Sequence, residues 1–223
     1  TACEESVETV TICDTVGCLT PAGCERIIAH VRRWIDARGA ELCLDFHGHA
    51  DRGLGLANPM AAVRSGADRV HATALGIGER SGNSPLDLLL VNLKVEGLWE
   101  GELGTLSSYC ETVARYCGLK IPEKYPVFGA GAFRTQAGVH AAAIVKADER
   151  GGSDVAALIY SGIDPRLVGR QIEIEVGPTS GRANIEHILH KKGLHVSRDV
   201  LGLMLRRIRD GERVLTVPEV CAL

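Results

Sequence analysis

Three short β-rich runs, each followed by a helical run and recurring about every 30 residues, narrow what this chain can fold into more than any other feature. Glu8 to Cys13 is the first run, halted by Asp14-Thr15-Val16-Gly17. Thr20-Pro21 reads as an N-cap with proline in the first turn, opening an amphipathic helix through Ile27, Ile28, Val31 and Trp34 to Gly39. Glu41 to Phe46 is the second strand, Asn58-Pro59 to Ser65-Gly66 the second helix and Asp68 to Leu75 the third strand. Ser84-Pro85 opens a helix over Leu86 to Val95 that is apolar nearly all round, and hence buried. Such repetition implies α/β architecture with a parallel sheet and right-handed crossovers. A closed barrel needs eight strands, yet after Asn83 the pattern turns helical, with an amphipathic run from Leu103 to Leu119. The expectation is therefore the last three βα units of a TIM (β/α)8 barrel in residues 1–120, incomplete in this chain, as the carboxy-terminal part of a larger enzyme.

Residues 121–223 are expected to form a linker and a small, mostly helical α+β subdomain. Ile121-Pro122-Glu123-Lys124-Tyr125-Pro126 is a rigid linker, and the segment Gly129 to His140 leads into an alanine-rich helix, Ala141 to Ala147. Tyr160 to Gly169 reads as a turn-rich loop, Gln171 to Val176 alternates like a strand, and Ser180-Gly181-Arg182 starts a helix through Leu189. A last helix, Ser197 to Arg209, ends at Asp210-Gly211, where Gly211 is expected to take a left-handed cap.

The polar residues that end the second and third strands carry the chemistry. His47 and His49 lie two apart on a strand and so point to one face. Taken alone the pair is either a buried structural feature or a pincer for a divalent cation. The Gly-rich turn Gly76-Ile77-Gly78-Glu79-Arg80-Ser81-Gly82-Asn83 closes the next strand, and parallel barrels build their sites at the carboxyl ends of strands, which favours the metal reading. Gly78 is expected to need a positive φ. Asp51 and Arg52 either orient the histidines from behind or cap the following helix; Glu79 and Arg80 either line the site or pair across its mouth. His187 and His190, three apart on a helix, read as a solvated face, and His30 and His71 as structural.

Eight cysteines fall singly with no C-x-x-C pair, as expected of free thiols in a reducing compartment. No signal peptide or apolar stretch of about 18 residues is present, so the expected location is cytoplasmic. A net charge of -3 without a basic stripe points to neither nucleic acid nor membrane.

The segments DTVGCLTP, HGHADRG, GIGERSGN, GVHAAAIVK, YSGIDPRLVG and GPTSGR occur here in an order that resembles the 2-isopropylmalate synthase and homocitrate synthase family, metal-dependent enzymes that condense acyl-CoA with 2-oxo acids. The resemblance runs from residue 9 to about residue 190. It implies that His47, His49 and Asn83 are metal ligands, for Mg, Mn or Zn, and that Thr15 hydrogen-bonds the carboxylate of the 2-oxo acid. It further implies that His140 and Tyr160, from the subdomain after the barrel, are acid–base groups over the reacting centre, with acetyl-CoA as co-substrate and a homodimer in the full-length protein.

The favoured substrate is 2-oxoisovalerate, giving 2-isopropylmalate on the route to leucine; homocitrate or citramalate synthesis is the alternative, and a non-catalytic remnant the reading from another class. The family's fourth ligand, an aspartate in Arg-Asp-Gly on the first barrel strand, is not located here: Arg209-Asp210-Gly211 ends the last helix and reads as an ordinary cap. The isolated chain is therefore expected to be inactive. His47-Gly48-His49-Ala50-Asp51 stands where the family has H-C-H-N-D, and Arg134 to His140 covers the region of H-E-S-G-I-H. The chain stops at Leu223, so a leucine-sensing regulatory domain is not expected in it.

Overall fold

The computed structural model describes residues 7–223; Cys3 and most of the polar start lie outside the described residues. The chain divides into two compact units, Thr1–Lys120 and Ile121–Leu223.

The first unit is built on three parallel strands in the order β1 (Thr9–Asp14), β2 (Cys43–Gly48) and β3 (Arg69–Val70), joined by the helices α1 (Pro21–Asp36) and α2 (Ala57–Arg64). Alternation along β2 explains the layering. Leu44 and Phe46 turn toward the helices and are fully buried among Cys24, Ile28, Ile35, Ala61 and Ala62, each burial contributing roughly 1.5–3 kcal/mol. Asp45 and His47 therefore share the opposite face. Thr20 caps α1 as expected, its hydroxyl accepting from the Gly23 N–H at 3.1 Å with Pro21 in the first turn.

The third strand is shorter than the expected Asp68–Leu75. Pairing with β2 covers only Arg69 and Val70, the His71 N–H still reaches the Phe46 carbonyl, and the chain then leaves the sheet. Thr73 pairs with Pro85 and a 3-10 turn follows at Ala74–Gly76, with Leu75 at φ +57°. The Gly-rich loop thus doubles back on the strand instead of extending it. Helix α3 (Leu86–Val95) buries Leu88, Leu89, Val91 and Leu93 as its composition requires, and α4 (Leu106–Tyr116) starts three residues later than its amphipathic run.

The second unit pairs β4 (Arg134–Thr135) in parallel with β5 (Glu173–Ile174), which is all that forms of the expected Gln171–Val176 strand. Around this ribbon lie α5 (Gly138–Ile159), α6 (Arg182–Lys191), α7 (Arg198–Arg209) and α8 (Val217–Cys221). Ile185 and Leu189 of α6 pack on Leu201, Met204 and Ile208 of α7 and on Val220 of α8. Sequence reading missed α8, although Thr216 and Glu219 form a capping box at its start. Gly211 is not left-handed, contrary to expectation: α7 ends with Asp210 in the right-handed region, and the Gly211 N–H returns to the Ile208 carbonyl.

Helix α5 is not one straight rod. A continuous helix of 22 residues would be about 33 Å long, yet the rings of His140 at its start and Tyr160 at its end lie 4.0 Å apart. The chain reverses at Gly152, whose φ of +74° and ψ of -179° only glycine adopts without strain. Ala141 and Ile144 of the first arm pack with Ala156 of the second. The expected Ala141–Ala147 helix is part of the first arm, and the Gly151-Gly152 pair is the turn.

All seven described cysteines are free. Burial pushes the thiols of Cys24 and Cys110 up to about 12, so neither is a thiolate at neutral pH. No described helix is long and apolar enough to cross a membrane.

Candidate functional site

In the first unit the turn after β1, the end of β2 and the Gly-rich loop after β3 meet at the carboxyl ends of the strands. Asp14 closes the first of these: its buried carboxylate accepts from the N–H groups of Cys18 and Leu19 at 2.9 and 3.1 Å, holding Thr15 exposed on the turn. Gly17 is required there, because its φ is +62° and a Cβ would lie 2.9 Å from the His49 carbonyl oxygen.

His47 and His49 present their rings edge to face with centroids 5.2 Å apart. Two imidazoles on one tetrahedral cation, with metal–nitrogen distances near 2.05 Å, have centroids about 5 Å apart. Asn83 joins them through the backbone, since it bridges His49 in antiparallel fashion while the Ala50 N–H reaches the Gly82 carbonyl at 2.9 Å. The carboxamide of Asn83 donates to the Gly48 carbonyl at 3.1 Å and lies 3.4 Å from His49 Nδ1. As it stands the amide nitrogen faces both groups, so ligation through Oδ1 requires the carboxamide to turn and give up its hydrogen bond to Gly48, whereas the spacing itself matches the roughly 3.0–3.4 Å between two donors sharing one cation. The donor spacing and chemistry fit a divalent cation. The set is incomplete on its own, because among the described residues no three or more His, Cys, Asp or Glu side chains gather in a way that could hold one. Burial, then the neighbouring His49 and His71, lowers the pKa of His47 below its usual 6.5, which keeps the imidazole neutral and able to ligate at neutral pH.

Gly78 matters for a different reason than expected. Its φ is not positive; a Cβ there would instead fall 2.0 Å from Asn83 Oδ1. The left-handed residues of the loop are Leu75, Gly76, Arg80 and Gly82, and Gly82 leaves no room either, with the Gly76 carbonyl oxygen 2.1 Å from its Cβ position.

Asp51 and Arg80 settle onto each other. The guanidinium donates to both oxygens of Asp51, at 2.8 and 3.0 Å, and to the Thr15 carbonyl at 2.8 Å, so one side chain ties all three loops together. The hydrogen bond from Arg80 holds the Asp51 carboxyl below its usual range. Asp51 therefore props the loop rather than either histidine ring, and Arg52 donates to the Cys18 carbonyl. Glu79 is turned to solvent, its side chain 84 % exposed.

Sequence reading passed over Asp45 and took His71 as structural. Buried Asp45 accepts from Arg69 Nε at 2.9 Å and lies 3.2 Å from His71 Nε2, and the His71 ring stands 5.5 Å from that of His47. The signal was the same alternation that paired His47 with His49: Asp45 is two residues earlier on that face.

In the second unit, His140 and Tyr160 stack at an interplanar angle of 25° because the reversal at Gly152 brings the ends of α5 together. Both rings thus belong to one small aromatic surface.

A family model described as HMGL-like matches residues 1–112. The chain is 32% identical over 222 residues to the homocitrate synthase AksA of Methanopyrus kandleri, covering 98% of this chain and 52% of that protein. It is 33% identical over 208 residues to the 2-isopropylmalate synthase of Pyrococcus furiosus, covering 91% and 40%. It is also 33% identical over 218 residues to the (R)-citramalate synthase of Streptomyces coelicolor, covering 95% and 38%. The chain thus spans about half or less of the length of these relatives. Since the family model accounts for half of the sequence, the chain belongs to the HMGL-like family, and along nearly all of its length it is similar to 2-isopropylmalate, homocitrate and citramalate synthases.

Proposed function

We propose that this chain is part of an acyltransferase that condenses acetyl-CoA with a 2-oxo acid, 2-oxoisovalerate being the favoured partner. The observation that supports this most is the convergence of His47, His49 and Asn83 at one strand end, with a spacing that suits a shared cation. The first unit is read as the last three βα units of a TIM barrel and the second as the subdomain that follows it.

His47, His49 and Asn83 would hold the divalent cation, Mg, Mn or Zn, with the remaining positions left to substrate and to a carboxylate elsewhere in the whole protein. When bound, such a cation polarises the ketone of the 2-oxo acid. Thr15 is assigned the carboxylate of that acid, since its hydroxyl lies on the exposed turn held by Asp14. Arg80 and Glu79 are assigned to the rim, where Arg80, locked to Asp51, keeps the turn and the Gly-rich loop in register. His140 is assigned removal of a proton from the acetyl methyl group, imidazole being the side chain most often used for general acid–base work. The stacked phenol of Tyr160 is the partner acid. The resulting enolate attacks the ketone carbon, and water cleaves the thioester to release CoA. We assign the whole protein to the cytoplasm as a homodimer and expect the isolated chain to be inactive.

Homocitrate and citramalate synthesis are the second reading, favoured by the relatives that carry those names. The test is thiol release from acetyl-CoA by the whole protein with a panel of 2-oxo acids, with and without chelator. Release that depends on one 2-oxo acid and vanishes on chelation supports the proposal and names the substrate; release indifferent to chelation contradicts it.

A further inference from the structure

The segment GPTSGR, residues 177–182, has no part in the proposed chemistry, yet it grips the turn that leads into His140. That turn, Gln136-Ala137-Gly138, joins the end of β4 to the start of α5. Ser180 and Asn184 are both wholly buried beside it. The Ser180 hydroxyl donates to the Gln136 carbonyl at 2.8 Å and accepts from the Gly177 N–H at 2.9 Å. The Asn184 carboxamide donates to the same Gln136 carbonyl at 3.1 Å and to the Glu175 carbonyl at 2.8 Å, while its oxygen accepts from the Gly181 N–H at 3.0 Å. Capping α6 needs only that last bond. The two donated bonds reach out to the segments that follow β4 and β5, so the cap alone does not account for Asn184. A buried network in which both donors and the acceptor of the amide are satisfied is rigid and specifies one arrangement.

The backbones meet as closely. The Gly138 N–H donates to the Thr179 carbonyl at 3.1 Å, and a Cβ on Gly138 would lie 2.5 Å from the Gly181 nitrogen. Gly138 has no positive φ, so glycine is needed there for the contact and not for its conformation. The chain is thus held on both sides of Ala137, the N-cap residue of α5, which has no side chain with which to cap the helix itself. His140 lies in the first turn of that helix, its N–H returning to the Ala137 carbonyl at 3.1 Å.

We propose that Ser180 and Asn184 are positioning residues for His140: their shared grip on the Gln136 carbonyl sets the first turn of α5 where the imidazole stacks on Tyr160. The consequence for turnover rests on the reading of His140 and Tyr160 as acid–base groups. Wholly buried, neither Ser180 nor Asn184 touches substrate, and both act through the backbone that carries the imidazole. A proton-transfer group displaced by about 1 Å can lose on the order of 100-fold in rate, so a helix start that lacks its own cap needs such an anchor.

The test compares Ser180→Ala, Asn184→Ala and the double variant with Met204→Ala, a core substitution on α7 outside this network. The first readout is the upfield ring-current shift that Tyr160 imposes on the His140 ring protons in proton NMR of the chain. The double variant is expected to lose at least about half of that shift, and Met204→Ala to keep it despite a loss of urea stability as large. Each single variant leaves one donor on the Gln136 carbonyl, so the pair carries the same test should the double variant unfold. The second readout is thiol release from acetyl-CoA by the whole protein: kcat is expected to fall about tenfold in the double variant, with KM for the 2-oxo acid unchanged because that acid is assigned to the first unit. A shift untouched in every folded Ser180 and Asn184 variant, or lost equally in Met204→Ala, would overturn the proposal. Loss of the shift with full turnover would support the positioning of the ring and remove His140 from the reaction.

Discussion

Replacing Gly78 by alanine tests how the Gly-rich loop holds its ligand. The added methyl carbon would sit 2.0 Å from Asn83 Oδ1 and 3.1 Å from the Asn83 amide nitrogen, whereas non-bonded carbon and oxygen need more than 3 Å. The side chain of Asn83 must therefore move by more than about 1 Å, because Asn83 is also pinned through its backbone to Gly76 and His49. That displacement breaks the 3.1 Å hydrogen bond to the Gly48 carbonyl, at a cost of about 0.5–1.5 kcal/mol. Overpacking brings the total to about 1–3 kcal/mol. Gly53→Ala is the control: its φ is +72° and no atom lies within 4 Å of its Cβ position, so only the backbone cost of about 1 kcal/mol remains. Urea unfolding gives the stabilities and Mn²⁺ titration the affinities. Gly78→Ala is expected to weaken Mn²⁺ by about 10-fold or more, as loss of an oriented ligand does, while Gly53→Ala leaves Mn²⁺ binding unchanged. Equal Mn²⁺ affinity in both variants would show that the position of Asn83 has nothing to do with the cation.

Three further outcomes follow from the same geometry. Arg80→Ala and Asp51→Ala remove the same link, so the double variant should be no less stable in urea than the weaker single variant; additive losses would mean that the pair does not act as one strut. Gly152→Ala meets no atom within 4 Å yet forces alanine into a glycine-only conformation, so it should lose about 1–3 kcal/mol together with the ring-current shift that Tyr160 imposes on His140 in proton NMR. Glu219 titrates at about 2, chiefly because Arg213 donates to it and then because of the Thr216 N–H. Its folded pKa lies below the ordinary 4.5, so its contribution is complete above about pH 4.5 and is lost as pH falls toward 2; thermal melts of Glu219→Gln should show a shallower acid slope over that window.

The parallel βα order was legible because it rests on local signals: the Thr20-Pro21 start, and the alternation that sends Leu44 and Phe46 to the helices and His47 to the other face. The pairing of His47 with His49 was legible for the same reason. What the sequence hid depends on where distant segments meet. Nothing near Arg80 announces Asp51 and Thr15 as its partners, 29 and 65 residues away. Gly78 looked like a turn residue, but the constraint on it is steric and comes from Asn83. The antiparallel arms of α5 were signalled by Gly151-Gly152, yet two glycines alone do not reveal that the chain turns back far enough to stack His140 on Tyr160.

The most direct measurement is an anomalous difference map from crystals of the chain soaked in Mn²⁺. A single peak about 2.0–2.3 Å from one ring nitrogen each of His47 and His49 and from the amide oxygen of Asn83 is the expected result. A peak elsewhere, or one that Asn83 does not reach, would contradict the shared cation and with it the reaction built upon it.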